Sequence, residues 1–121
     1  MTKKRHDLHS TEFGLWLREQ PEIDSGLGYV ATNIDYLWQN YKTGEWLLLE
    51  EKRYGALPSI SQRKQFGHLD AALQGTPGYR GFYVLTFERT SPADGRMWLC
   101  RLGKQGQEVT QEELVGFLRL E

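Results

Sequence analysis

The chain has a single cysteine among its 121 residues, and that scarcity removes a class of protein from consideration. A lone Cys100 cannot form an internal disulfide, so a cystine-stapled scaffold is excluded and a reducing, cytoplasmic setting is expected. No internal repeat and no low-complexity tract is present, which argues against a linker-rich or disordered chain. No apolar run approaches the roughly 20 residues needed to cross a bilayer, so no membrane partner is expected. The opening "MTKKRHDLHS" is basic but lacks the apolar stretch of a secretion signal behind it. Excess charge is missing too: 15 basic and 16 acidic side chains leave a formal net charge of −1. That balance counts against broad, non-specific binding to a polyanion, which rests on many phosphate contacts. Local basic patches remain, at Lys3, Lys4 and Arg5 and again at Lys52, Arg53, Arg63 and Lys64.

What is present suits a single domain spanning 1–121. Hydrophobic residues make up 39% of the chain and aromatics 12%, and a chain of this size buries roughly two thirds of its unfolded surface. "HSTEFGLWLREQ" sets Phe13, Trp16 and Leu17 at helical spacing behind Ser10 or Thr11 as the cap, and Pro21 with "DSGLG" ends that helix. "YVATNIDYLWQ" alternates Ile34, Tyr36 and Trp38 against Asn33, Asp35 and Leu37, the period of a strand. "NYKTGE" is a hairpin turn with Gly44 at positive φ. The unbroken apolar start of "WLLLEEKRY" predicts a central strand. From Ser59 to Gln74 a helix is expected, with Phe66, Leu69 and Leu73 as its apolar stripe. "YRGFYVLTFER" and "RMWLCRL" form a second hairpin across "TSPADG". "VTQEELVGFLRL" closes the chain with a helix whose capping box is Thr110 and Glu113. Because a helix joins the strands that begin near Trp46 and Tyr79, a right-handed crossover makes them parallel neighbours. The expected fold is α/β, a mixed central sheet flanked by helices.

One feature of this pattern resists a purely structural account. Glu50, Glu51 and Lys52 follow three leucines at the end of a buried strand, where charges are costly unless paired or coordinated. Charge that defends an edge strand would explain them, but the leucines argue for a central position. Glu50 and Lys52, two apart, share a face, and Asp35 lies on the preceding strand. Two carboxylates from neighbouring strands can share a divalent cation, and the lysine can orient a water and offset charge on a phosphate. Register decides whether they meet. A two- or four-residue turn at "YKTG" sets Asp35 opposite Lys52 or Glu50, whereas a three-residue turn with a bulge at Gly44 sets it opposite Glu51.

Asp35 followed by "EEK" resembles the PD-(D/E)xK nuclease superfamily, and the order α-β-β-α-β resembles its restriction-endonuclease-like core. The residue before Asp35 is Ile34 rather than proline. The resemblance implies that Asp35 and Glu50 bind Mg²⁺, with Mn²⁺ substituting, that the backbone carbonyl of Glu51 is a further ligand, and that Lys52 is catalytic. It also implies an acid from the first helix, Glu12, and a polar residue from the helix after the lysine. Gln62, four before Phe66, fits that place, with Gln65 as the second choice. Glu12 is equally well explained as a first-turn acid favoured by the helix dipole; for Gln62 the alternative, a solvated helix residue, is slightly less favoured than the site role. Arg53, Arg63 and Lys64 would contact DNA. His6, His9 and His68 share no metal-like spacing. The function implied is a structure-specific endonuclease acting on DNA, and a homodimer would let two sites cut both strands. The rival expectation is a catalytically inactive nucleic-acid-binding or protein-interaction module on the same fold.

Overall fold

A computed structural model of the protein describes residues 12–29 and 32–121. They divide at Ile34 into two compact units. In the first, helix α1 (Glu12–Arg18) is followed by two single-turn 3₁₀ segments, Pro21–Ile23 and Ser25–Leu27. Asp24 caps the second of these by accepting from the Gly26 N–H at 3.0 Å. Phe13 and Trp16 stack at 6.0 Å between ring centroids, and both are exposed. The caps expected at Ser10 and Thr11, the Lys3–Arg5 cluster, and His6 and His9 lie outside the described residues.

The second unit, Ile34–Glu121, carries the sheet. Its strands are β1 (Tyr36–Asn40), β2 (Glu45–Lys52), β3 (Tyr79–Phe87), β4 (Met97–Arg101) and the short β5 (Gln107–Glu108). They lie in the order β1-β2-β3-β4-β5, with β2 and β3 parallel and every other pair antiparallel. The parallel pair is joined by helix α2 (Ile60–Leu73), and helix α3 (Gln111–Leu118) follows β5. The chain is thus a mixed α/β fold, as the hydrophobic periods predicted; the two-residue β5 had no period to reveal it.

The three leucines are explained by cover on both faces of β2. Leu47 and Leu49 pack with Leu85, Phe87, Met97, Leu114 and Leu120 on the α3 side. Leu48 packs with Phe66 and Phe82 on the α2 side, where Leu69 and Leu73 complete the predicted stripe. A strand buried this way carries no polar alternation. The C-terminal end of α3 is tied to the first hairpin through its backbone carbonyls. Trp38 Nε1 donates to Leu118 O at 2.6 Å, Asn40 Nδ2 to Arg119 O at 2.8 Å, and Thr43 Oγ1 to Leu120 O at 3.2 Å.

One expectation needs correction and one open alternative is decided. The alternation from Tyr29 predicts a strand through Asp35, but β1 begins only at Tyr36, so Asp35 precedes the ladder instead of lying within it. The reason is visible at the same residue: the Asp35 carboxylate accepts the Glu51 N–H at 2.8 Å, and a side chain takes the place of backbone pairing there. Residues 30 and 31 lie outside the described residues. The turn question is also answered. Asn40 pairs with Glu45, so the four residues Tyr41 to Gly44 form the turn, with Gly44 at φ +79°.

Candidate active site

The site lies wholly within the second unit, where the β1–β2 hairpin meets the start of α2. Tyr36 pairs with Leu49, and one further step of the same register brings Asp35 level with Glu50. The Asp35 N–H points at Glu50 Oε1, 3.4 Å away, while its Oδ2 receives the Glu51 N–H. In an antiparallel pair one residue's N–H and C=O face the same partner, so the Glu51 carbonyl also lies on the Asp35 side of β2.

Glu50 shares the α2 face with Leu48 and Lys52, since alternate residues of a strand project together. Although only 4% exposed, it is a charged residue. Burial pushes the Glu50 carboxyl above the ordinary carboxylate range, the neighbouring Asp35 carboxylate pushes it further, and Lys52 pulls against both. Lys52 Nζ lies 3.3 Å from Glu50 Oε2. The same ammonium donates to Gln62 Oε1 at 2.9 Å.

How Gln62 comes to face Lys52 follows from the start of α2. Ser59 is the N-cap, its Oγ accepting the Gln62 N–H, while Gln62 Oε1 accepts the Ser59 N–H; both bonds are 3.1 Å. This reciprocal box fixes the amide with its oxygen outward from the helix start, where Lys52 uses it as well. The pattern Ser59-x-x-Gln62 is the sequence signal for the box, and the reading from hydrophobic periodicity passed over it.

The remaining expected residues divide. Arg53 Nη2 pairs with Glu51 Oε1 at 3.2 Å, so these side chains satisfy one another beside the site. Arg63 turns its Nε to the Pro58 carbonyl at 3.1 Å. Lys64 and Gln65 follow on α2, Lys64 exposed and Gln65 half-buried. Glu12 opens α1 in the other unit and is exposed there. Directly after Lys52 the chain turns sharply, with Tyr54 at φ +55° and Gly55 at +70°. Their N–H groups are held by the carbonyls of Arg89 and Phe87.

Among the described residues no three His, Cys, Asp or Glu side chains converge. Asp35 and Glu50 are neighbouring carboxylates, and together with the Glu51 carbonyl they would offer an all-oxygen set suited to a hard divalent cation that keeps several waters. Charge agrees with the donor chemistry. Asp35 and Glu50 against Lys52 leave an excess negative charge at a largely buried carboxylate, which a cation would offset. Comparison with family models, curated proteins and solved structures returned no match for the chain.

Proposed function

We propose that the protein is a small magnesium-dependent nuclease of the PD-(D/E)xK, restriction-endonuclease-like kind that hydrolyses phosphodiester bonds in DNA, acting as a structure-specific endonuclease. The observation that carries this reading is the meeting of Asp35, Glu50, Lys52 and Gln62 within one hydrogen-bonded cluster. The side chains of Glu50 and Lys52 from β2 and Gln62 from α2 meet there, with the Asp35 N–H on Glu50 and the Asp35 carboxylate on the adjacent Glu51 N–H, and neither core packing nor edge protection requires it. The element order supports the reading as well, with an antiparallel β1–β2 hairpin and a helical crossover to a parallel β3.

Asp35, Glu50 and the Glu51 carbonyl would hold the Mg²⁺ or Mn²⁺. Such an ion, when bound, supplies Lewis acidity toward a phosphate oxygen and lowers the pKa of water. The chain's own residues do the rest. Lys52 has three N–H donors; Gln62 takes one and Glu50 lies beside another, so the third can hydrogen-bond an attacking water or a phosphate oxygen. Because both partners are anchored to secondary structure, the ammonium is oriented before substrate arrives, which is the condition for electrostatic help in a transition state. Water attacks phosphorus and gives up a proton to solvent, the P–O bond to the leaving oxygen breaks and that oxygen takes a proton from solvent, while Lys52 offsets the charge that builds on the phosphate.

The test is incubation of the purified protein with branched, single-stranded and duplex DNA, with Mg²⁺, with Mn²⁺ or with chelator, beside Asp35→Ala and Lys52→Ala. The expected result is metal-dependent cleavage, lost in both variants. Cleavage that persists in either variant rejects the assignment. Metal-independent DNA binding without cleavage, unchanged in Lys52→Ala, would instead identify an inactive binding module.

A further inference from the structure

Across the sheet from the carboxylates, on the same α2 face, a cavity of ≈ 610 Å³ opens between the loop before α2 and the turn after β4. Leu57, Val84, Thr86 and Trp98 are among its walls, with Arg63 and Lys104 as its charged residues. The sheet register shows how it adjoins the site. Glu50 pairs with Val84 and Lys52 with Thr86; Val84 pairs with Cys100 and Thr86 with Trp98. Paired residues project to one face, and strands lie about 4.8 Å apart. The cavity wall therefore begins about 5 Å from the Glu50–Lys52 row and reaches Trp98 about 10 Å away.

Two properties define what this cavity fits. It is apolar, yet it carries two cations, and neither Arg63 nor Lys104 has an acidic partner among the described residues. Lys104 is exposed at the rim. An anionic ligand with a flat apolar part satisfies both halves. The volume falls in the range of about 300–1,000 Å³ that takes one small ligand. Stacked duplex DNA presents phosphates and sugars outward and would leave the apolar walls uncovered. A base that has left the stack can enter, lie against the indole of Trp98 and keep its phosphates near Arg63 and Lys104.

We propose that this cavity seats an unstacked nucleotide of single-stranded DNA beside the cut site, so that the substrate is a strand with unpaired residues; the DNA chemistry of the ligand rests on the nuclease reading above. The Arg96 guanidinium, paired with Glu108, lies 5.0 Å from the Trp98 ring centroid.

The test is fluorescence anisotropy in chelator, using a labelled oligothymidine of about twelve nucleotides and a blunt duplex of the same length. The proteins are the full chain, Lys104→Glu and Trp98→Leu. The strand is expected to bind more tightly than the duplex. Lys104→Glu should weaken strand binding about tenfold and reduce its salt dependence by about one phosphate contact. Trp98→Leu should weaken it at least about fivefold. Equal affinity for duplex and strand, no strand binding, or strand binding unchanged in Lys104→Glu overturns the proposal. If Trp98→Leu does not fold, Lys104→Glu decides, since its side chain is exposed. Cleavage assays with Lys52→Ala judge the nuclease reading separately. Strand binding that depends on Lys104 in a protein that cuts nothing would support the cavity and refute the nuclease.

Discussion

Gln62 is the residue whose two duties can be separated by substitution. Its Oε1 accepts from Lys52 Nζ at 2.9 Å and from the Ser59 N–H at 3.1 Å. Gln62→Ala removes both bonds at once. A hydrogen bond to a charged group contributes about 1.5–3 kcal/mol; Lys52 is 18% exposed in its side chain and keeps Glu50, so about 1.5 kcal/mol is expected for that bond. Ser59 is exposed, and water replaces the lost acceptor at its N–H, so that bond adds about 0.5 kcal/mol. The sum, about 2 kcal/mol, lowers a urea midpoint by about 1 M for a domain of this size. Gln62→Glu behaves differently. A glutamate is an equally good partner in the capping box and is favoured by the helix dipole, so it keeps both bonds; its charge beside Glu50 offsets part of that, and it should be destabilised clearly less than Gln62→Ala. The assay is urea unfolding followed by circular dichroism on the three proteins. Equal destabilisation by Ala and Glu, or a loss under about 0.5 kcal/mol in Gln62→Ala, would refute the claim that one oxygen serves the lysine and the helix start together.

The same cluster makes predictions for pH and metal. In chelator, the raised Glu50 pKa means that the folded state holds this proton more tightly than the unfolded chain does. Its contribution to stability is therefore complete below the ordinary value of 4.5 and is lost as pH rises through the folded-state value. The melting temperature of Glu50→Gln minus that of wild type should thus grow as pH rises above the ordinary value of 4.5; a constant difference would show that Glu50 ionises without penalty. Added Mg²⁺ should stabilise wild type by about 1.4 kcal/mol at ten times its Kd. Thermal melts of Asp35→Asn and Glu50→Gln should lose most of that gain, and an unaltered gain would place the ion elsewhere. Away from the site, Gly78 has φ +79°, and a Cβ there would lie 2.2 Å from the Gly44 carbonyl oxygen. Gly78→Ala should cost more than about 3 kcal/mol in urea unfolding, because backbone rather than a side chain must move.

Much of this arrangement is legible in one dimension because its causes are local. The leucines of β2, the stripe Phe66, Leu69 and Leu73 on α2, and the Thr110–Glu113 box of α3 each follow from spacing over a few residues. The candidate acids and lysine are legible for the same reason, since charge after a buried apolar run demands an account. Less was legible around them. The exit of the chain from the ladder at Asp35 depends on a carboxylate competing with a backbone carbonyl for the Glu51 N–H, and no hydrophobic period records that competition.

By itself the amino-acid sequence determined the three helices, the four longer strands, their order and the parallel crossover, because periodicity, turn residues and chain handedness act along the backbone. Tertiary structure alone decided the four-residue turn that sets Asp35 level with Glu50, and the placement of the locally coded Ser59–Gln62 cap against Lys52. It also decided the cavity that gathers Leu57, Arg63, Trp98 and Lys104 from four separate stretches of chain. These depend on where side chains from distant positions end up relative to one another. A shift of one residue in strand register would turn the whole set to the other face.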